Sequence, residues 1–457
     1  MRRFDFDYLI IGCGLAGRTA ALIALNSGMK VGVVEAENRG GNELNGNELP
    51  YLVMSNVAKI YHEANNGQKK GVFGHDIGYN YPTILHWKEE VLSRIADDRP
   101  EIEESGAKYL KGFAHFLDAH RLSIGEIGEV SAKKILIATG GRISTAGITC
   151  ANNTKMLTPA EVLKLQRLPK NIVIVGGGAS GCELAEYLGK LGVKVVLLEK
   201  KSRLLPVEDQ EVGETMAAYL QSLGVSVIVK ADVKAVERTE KLQKIIFDFD
   251  RKSKFIEAEQ VVAATGFLPN TDMGLENAGI EYDKNGIKVN RFIRTRLRHI
   301  YAVGAVIQSE SIVNSPEKTA HEAAVAAANM INKGKNTVNY IGMTRRVNTD
   351  LEVATVGLTE KTCKARKIKY KVATVRAKQI AGAKIDDHDL SFVKIIIDRE
   401  KKILGAAVMT PKAGLVIQEI SLAMRTGAKI LDLAMTPHAM HGYAEMVKIA
   451  ARELVQQ

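Results

Sequence analysis

The sequence predicts an α/β chain with two copies of one strand–turn–helix–strand unit, followed by an α+β domain. Three observations predict it. First, a fingerprint occurs twice. Gly12-x-Gly14-x-x-Gly17 follows the apolar run Tyr8-Leu9-Ile10-Ile11, and Glu35 ends the next apolar run. Gly176-x-Gly178-x-x-Gly181 follows Ile172-Val173-Ile174-Val175, and Glu199 ends Val195-Val196-Leu197-Leu198. In both copies the acid stands 23 residues after the first glycine. Second, Ile135-Leu136-Ile137-Ala138-Thr139-Gly140 is echoed by Val261-Val262-Ala263-Ala264-Thr265-Gly266. Third, the pattern changes after Asn339, where short strand-like runs alternate with charged turns.

Each copy reads as the βαβ unit of a Rossmann-like dinucleotide-binding domain. The first glycine permits the tight turn, the second lets the pyrophosphate approach, and the third lets the helix pack on the strand. The helix N-terminus offers N–H groups and a positive dipole end to the phosphates, and the acid takes a ribose hydroxyl. The second unit opens near residue 150 and closes near residue 275. Ile300-Tyr301-Ala302-Val303-Gly304 is another strand-to-turn, so the second unit is inserted in the first. An alanine-rich helix is expected over 317–331. Beyond it, strands are expected at 353–356, 370–375 and 392–397, and helices at 415–426 and 444–455. The predicted boundaries are 1–148, 149–276, 277–338 and 339–457.

Composition narrows the class. A chain of 457 residues exceeds one core and fits about three domains. No apolar run approaches the roughly 20 residues that span a bilayer, and the N-terminus runs straight into the first strand, so a cytoplasmic protein is expected. Cys13, Cys150, Cys182 and Cys363 lie far apart, with no CxxC or metal spacing. The net charge is +11, and from Tyr340 onward 20 Lys/Arg stand against 12 Asp/Glu. The plain reading is a solvated basic surface. The functional readings are an acidic protein partner or an anionic surface. Nucleic acid is disfavoured because few aromatics accompany the charge.

With these motifs in place, the chain resembles the pyridine nucleotide-disulfide oxidoreductases, the dihydrolipoamide dehydrogenase-like flavoproteins with two dinucleotide sites. Residues 8–35 resemble the family's FAD fingerprint, and 176–199 its NAD site. Arg203-Leu204-Leu205-Pro206 resembles the RxLP segment, and Ala264-Thr265-Gly266 with Pro269-Asn270 the ATGxxPN signature. Ala320-His321 resembles the AH beside the flavin, and Ala354-Thr355-Val356-Gly357-Leu358-Thr359-Glu360 the SVGLTE of the interface domain. The resemblance implies FAD held by Gly12, Gly14, Gly17, Glu35, Gly41, Ala114, Thr139, Gly140, Gly304 and Ala320. It implies NAD held by Gly176, Gly178, Gly181, Glu199 and Gly266. It also makes 1–148 and 277–338 the FAD-binding domain, 149–276 the NAD-binding domain and 339–457 a dimerisation domain, and it implies a homodimer.

The departures carry the functional expectation. The family's GGTCxNxGCxPSK aligns with 40–52, where Glu43 and Glu48 occupy both cysteine positions while Gly40, Gly41, Asn45 and Pro50 keep the register. A carboxylate neither cycles through a disulfide nor attacks one as a thiolate does. The family's HAHPTxSE aligns with 438–445. Glu445 is kept as the orienting acid, the base position holds Met440, and His438 and His441 flank it as candidate or merely structural histidines. Leu52 stands where the family has a lysine, Ala179 where it has a gating tyrosine, Phe267 where it has an arginine and Ala305 where it has the ribityl aspartate.

Glu43 and Glu48, placed i, i+5 on a helix start, are open to three readings. They are polar replacements, flavin-side acids, or ligands of a metal completed by a partner-chain histidine. The resulting expectation is an enzyme: NADH reduces FAD, which passes electrons directly to a small acceptor such as a quinone. Glu199 favours NADH, because an acid repels a 2′-phosphate. The alternative is a catalytically degenerate member acting as a binding or regulatory protein through its basic C-terminal domain.

Overall fold

The structure is a computed structural model describing residues 4–72, 77–99, 102–308, 315–332 and 334–457. It divides into two compact units. The first contains residues 1–53, 82–144 and 266–339, and the second residues 54–81, 145–265 and 340–457.

The first unit is built on a sheet whose parallel part runs in the order Lys108–Lys111, Val31–Glu35, Phe6–Ile11, Gly128–Ile137, Ile300–Ala302. The central strands carry apolar runs, Tyr8 to Ile11, Val31 to Val34 and Ile135 to Ile137, as buried parallel strands do. Leu9, Val33 and Ile135 to Ile137 are fully buried. Helix Leu15–Leu25 packs through Ala16, Ala20, Ala21 and Ala24, whose small side chains allow close approach to the sheet. The long strand Gly128–Ile137 continues into an antiparallel meander with Arg121–Ile124 and Ala114–Phe116. The alanine-rich helix spans Pro316–Asn332, as its pattern predicts.

The second unit repeats the plan. A parallel sheet runs Ser226–Val229, Lys194–Glu199, Asn171–Val175, Gln260–Ala263. The two central strands match register for register. Ile11 lies between Val34 and Ile137, and Val175 between Leu198 and Ala263. A second sheet adds Lys252–Ala258, Gln243–Phe249, Asp232–Arg238 and Thr149–Ala151. The C-terminal part is a five-stranded antiparallel sheet ordered Thr344–Val347, Glu352–Gly357, Ile403–Thr410, Phe392–Ile397, Lys371–Arg376. Helices Ala413–Thr426 and Ala444–Gln456 bury Ile417, Ile420, Met446, Val447 and Leu454 in its core. The expected α/β architecture with a C-terminal α+β domain is what forms. Among the described residues no helix is long and apolar enough to cross a membrane.

Candidate functional site

The two glycine turns are superposable in their chemistry. Gly12 has φ +106° and Gly176 φ +109°, a region that favours glycine. A Cβ at either would stand 2.4 Å from a carbonyl oxygen, that of Ala138 or of Ala264. A Cβ at Gly17 would stand 1.8 Å from the Gly12 carbonyl oxygen, and one at Gly181 1.9 Å from that of Gly176. The third glycine is therefore a packing requirement, because the helix rests on the turn itself.

The middle glycines differ from these. Gly14 and Gly178 are the N-cap residues of helices Leu15–Leu25 and Ala179–Lys190, and neither cap makes a side-chain hydrogen bond. A Cβ at Gly178 would meet nothing within 4 Å, and one at Gly14 only the Gly41 Cα at 3.7 Å. A helix N-terminus whose cap glycine leaves space for a ligand to approach is what a dinucleotide pyrophosphate needs. The residues present thus fit FAD at the first turn and a nicotinamide dinucleotide at the second.

The two acids do more than their position suggested. Glu35 accepts from the backbone N–H of Cys13 at 2.8 Å and of Glu37 at 2.9 Å, one on each carboxylate oxygen. Glu199 accepts from Gly177 at 2.7 Å and Lys201 at 2.6 Å in the same way. Each acid therefore clamps the glycine turn to the end of the next strand. Each oxygen keeps a lone pair for a ribose hydroxyl.

The rest of the first site is assembled by backbone staples. Thr139 Oγ1 donates to the Asn270 carbonyl at 2.9 Å, Asn270 Nδ2 donates to the Thr139 carbonyl at 2.9 Å, and Asn270 N donates to the Gly140 carbonyl at 3.0 Å. This is the physical role of the asparagine in ATGxxPN. Strand Phe267–Pro269 pairs with Gly141–Ile143 beside it, and Gly266, at φ +103°, makes the turn into it. Gly304, at φ +78°, donates its N–H to Glu322 Oε2 at 2.9 Å. Glu322 is fully buried and paired with the equally buried Lys318 at 3.1 Å. Sequence reading missed this pair, although its i, i+4 spacing on helix Pro316–Asn332 signals it. Ala320 lies on the same helix, and Ala114 is buried in strand Ala114–Phe116.

The segment carrying Glu43 and Glu48 lies against the first glycine turn. Gly40 N donates to the Cys13 carbonyl at 3.0 Å, and a Cβ at Gly41, at φ +52°, would stand 3.0 Å from the Gly14 Cα. The two carboxylates do not share a helix start, which corrects the i, i+5 expectation. Helix Gly41–Asn45 stops at Gly46, whose backbone lies far from helical values, and Glu48 precedes the next helix, Leu49–Asn66.

The environments of the two acids also differ. Glu43 is held bidentately by Arg99, at 2.9 and 3.1 Å. Glu48 has Asn42 Nδ2 at 3.2 Å. Desolvation pushes its carboxyl above the usual glutamate range, and the negative charges of Glu43 and Glu317 add to this against the Asn42 hydrogen bond. Nothing in the sequence pattern announced Arg99, 56 residues away. Among the described residues no group of three or more His, Cys, Asp or Glu could hold a metal ion.

In the second unit Glu183 is buried and accepts from the backbone and side-chain amides of Asn348 at 2.8 and 2.9 Å. Burial raises its pKa, and these bonds oppose the rise. Cys13 and Cys182 are buried beside the glycine turns, and desolvation raises both thiols. Near the C-terminus, His438 is caught between the Thr436 carbonyl, 2.8 Å from Nδ1, and Glu419, 2.7 Å from Nε2. His441 is exposed at φ +66°, and its backbone N–H donates to Glu445 at 2.8 Å. Met440 is 70% exposed. Glu445 thus orients the backbone of 441 within this chain.

Comparison with known proteins bears on these sites. The family model described as pyridine nucleotide-disulphide oxidoreductase matches residues 6–330, and that of the family's dimerisation domain matches residues 343–451. A dihydrolipoamide dehydrogenase of Chaetomium thermophilum is 32% identical over 460 residues, covering 98% of this chain and 90% of that one. A mercuric reductase of Bacillus cereus is 28% identical over 452 residues, covering 98% and 71%. The solved structure of the HOCl-induced flavoprotein disulfide reductase of Escherichia coli matches with a TM-score of 0.84 at 22% identity, covering 98% and 99%, a likeness of fold.

Proposed function

The chain belongs to the pyridine nucleotide-disulphide oxidoreductase family, whose members bind FAD and use a nicotinamide dinucleotide, and from that premise we propose that it is an NADH-dependent flavoprotein without a redox disulfide. In this reading, electrons pass from NADH through FAD directly to a small acceptor of the quinone class. A bound FAD would accept a hydride and release its electrons to that acceptor. The observation that carries the reading is the split between Glu43 and Glu48, which align with the family's two cysteines. Arg99 holds Glu43 in a bidentate ion pair, while Glu48 accepts from the neutral amide of Asn42 and burial favours a proton on it. A buried carboxyl that favours its protonated form is the kind of group that acts as a general acid.

Reducing a quinone to a quinol takes two electrons and two protons, and a hydride supplies both electrons and one proton. In this reading Glu48 would supply the second proton, and bulk water can restore it. The glycine turns orient the two nucleotides, and the clamps of Glu35 and Glu199 keep those turns rigid. A homodimer fits the C-terminal domain, which leaves Leu415, Leu422, Leu431 and Met435 more than half exposed for a second copy to cover. His438, His441 and Glu445 lie on this domain as residues that a dimer would bring to a site.

The test is the visible spectrum of the purified protein as NADH is added anaerobically. An oxidised flavin band that bleaches within seconds, and returns when a quinone is added, supports the enzyme. A flavin band that NADH leaves untouched sinks it. That outcome favours a binding protein acting through the basic stretch of Lys361, Lys364, Arg366, Lys367 and Lys369.

A further inference from the structure

The acid of the second glycine unit sits in a rim of cations. Lys200, Lys201 and Arg203 follow Glu199, and the segment carrying Lys230 runs beside it. Lys230 N donates to the Lys201 carbonyl, and Ala231 N to the Glu199 carbonyl, both at 2.9 Å. Charge alone would make this rim attractive to a 2′-phosphate, against the repulsion from Glu199. The structure disposes of two of the three cations that follow the acid. Lys200 Nζ lies 3.1 Å from Asp232 Oδ2, and Lys234 Nζ lies 2.6 Å from the same oxygen. The Arg203 guanidinium turns to the carbonyls of Pro206, at 3.4 Å, and Glu208, at 3.2 Å. Glu199 itself is fixed by two backbone N–H groups, so its charge stays in place.

We propose that Asp232 is a specificity-determining residue of the nucleotide site. By drawing Lys200 away, it weakens the hold of the cationic rim on a 2′-phosphate and so favours the dinucleotide with a free 2′-hydroxyl. The inference rests on the reading of the second unit as a nicotinamide dinucleotide site. Asp232 touches no reacting atom and acts through Lys200. The hydrogen bond from Lys234, with that from Lys200 and the charges of both lysines, holds this carboxyl below the usual aspartate range against its desolvation, so it remains an anion at neutral pH. Lys200 is 67% exposed, so once released its side chain is free to reorient toward an incoming phosphate.

Calorimetric titration of the full chain with adenosine 5′-monophosphate and adenosine 2′,5′-bisphosphate tests this without needing any turnover. Asp232→Asn should raise the affinity ratio of bisphosphate to monophosphate about three- to five-fold, the scale of one exposed charge interaction. The gain should fade as salt is added. Adding Lys200→Ala to that variant should return the ratio to its starting value. A ratio unmoved by Asp232→Asn overturns the proposal, as does an equal gain in the double variant, which would assign the effect to Lys201, Lys230 or Lys234. If the monophosphate binds and the ratio stays flat, only this inference fails. If the unaltered protein binds neither ligand, the nicotinamide reading fails with it.

Discussion

The glycine turns at 12–17 and 176–181 are one design executed twice, and they diverge where each meets its surroundings. Positive φ at the first glycine, helix-on-turn packing at the third and a carboxylate clamp on the strand end recur with distances that agree within 0.3 Å. The middle glycine marks the divergence. Gly178 faces open space, whereas Gly14 faces Gly41, brought in by the segment that carries Glu43 and Glu48. The shared features are those that shape a phosphate cradle. What differs is the chain laid over it, and that chain sets the chemistry.

The sharpest way to break the comparison is at the third glycine. Gly17→Ala and Gly181→Ala each drive a methyl group into a backbone carbonyl that has no room to retreat. Each should cost about 3 kcal/mol or more in thermal unfolding. Gly17→Ala should also release flavin, while the Gly181→Ala protein that does fold should keep it and lose its response to NADH. If one copy tolerated the methyl, the two turns would not be the same device.

A smaller effect sharpens the comparison. Glu35→Gln and Glu199→Gln each turn one acceptor of the clamp into a donor that faces a backbone N–H. Each should cost about 1–2 kcal/mol, with Glu199→Gln the larger because Glu199 is 7% exposed and Glu35 only partly buried. Denaturant midpoints read this directly. Equal midpoints for Glu199→Gln and the unaltered protein would reduce the acid to a ribose ligand.

The duplication was legible because its causes are local. Gly12, Gly17, Gly176 and Gly181 are required by backbone geometry within one βαβ unit, so spacing alone exposes them. Three of the five C-terminal strands and the helices Ala413–Thr426 and Ala444–Gln456 were legible for a similar reason, since Phe392–Ile397 is apolar but for Lys394 and Ala444–Gln456 keeps a helical stripe, whereas strands Thr344–Val347 and Ile403–Thr410 were not read. What escaped was long-range pairing. Arg99 reaches Glu43 across 56 positions, and Asn270 staples Thr139 across 131. Such partners leave no periodic trace. The break at Gly46 was missed because the acids were measured along an assumed helix, and a glycine inside a polar stretch signals a stop only weakly.

The smallest expected effect bears on the chain laid over the first turn. Glu48 has a raised pKa in the folded protein, so the native state keeps a proton at a pH where the unfolded chain has lost it. The stabilising contribution is then fully present below the ordinary glutamate range and is lost as pH rises through the folded-state value. Glu48→Gln carries no such proton, so the difference between variant and parent in unfolding midpoint should widen in the variant's favour as pH rises above the ordinary glutamate range. Glu43→Gln should instead lower the midpoint, because it removes the bidentate ion pair with Arg99. Matching profiles for the two variants would erase the distinction between the ion-paired acid and the proton carrier. The chain over the first turn would then be polar filling, and the proton for the acceptor would have to come from water.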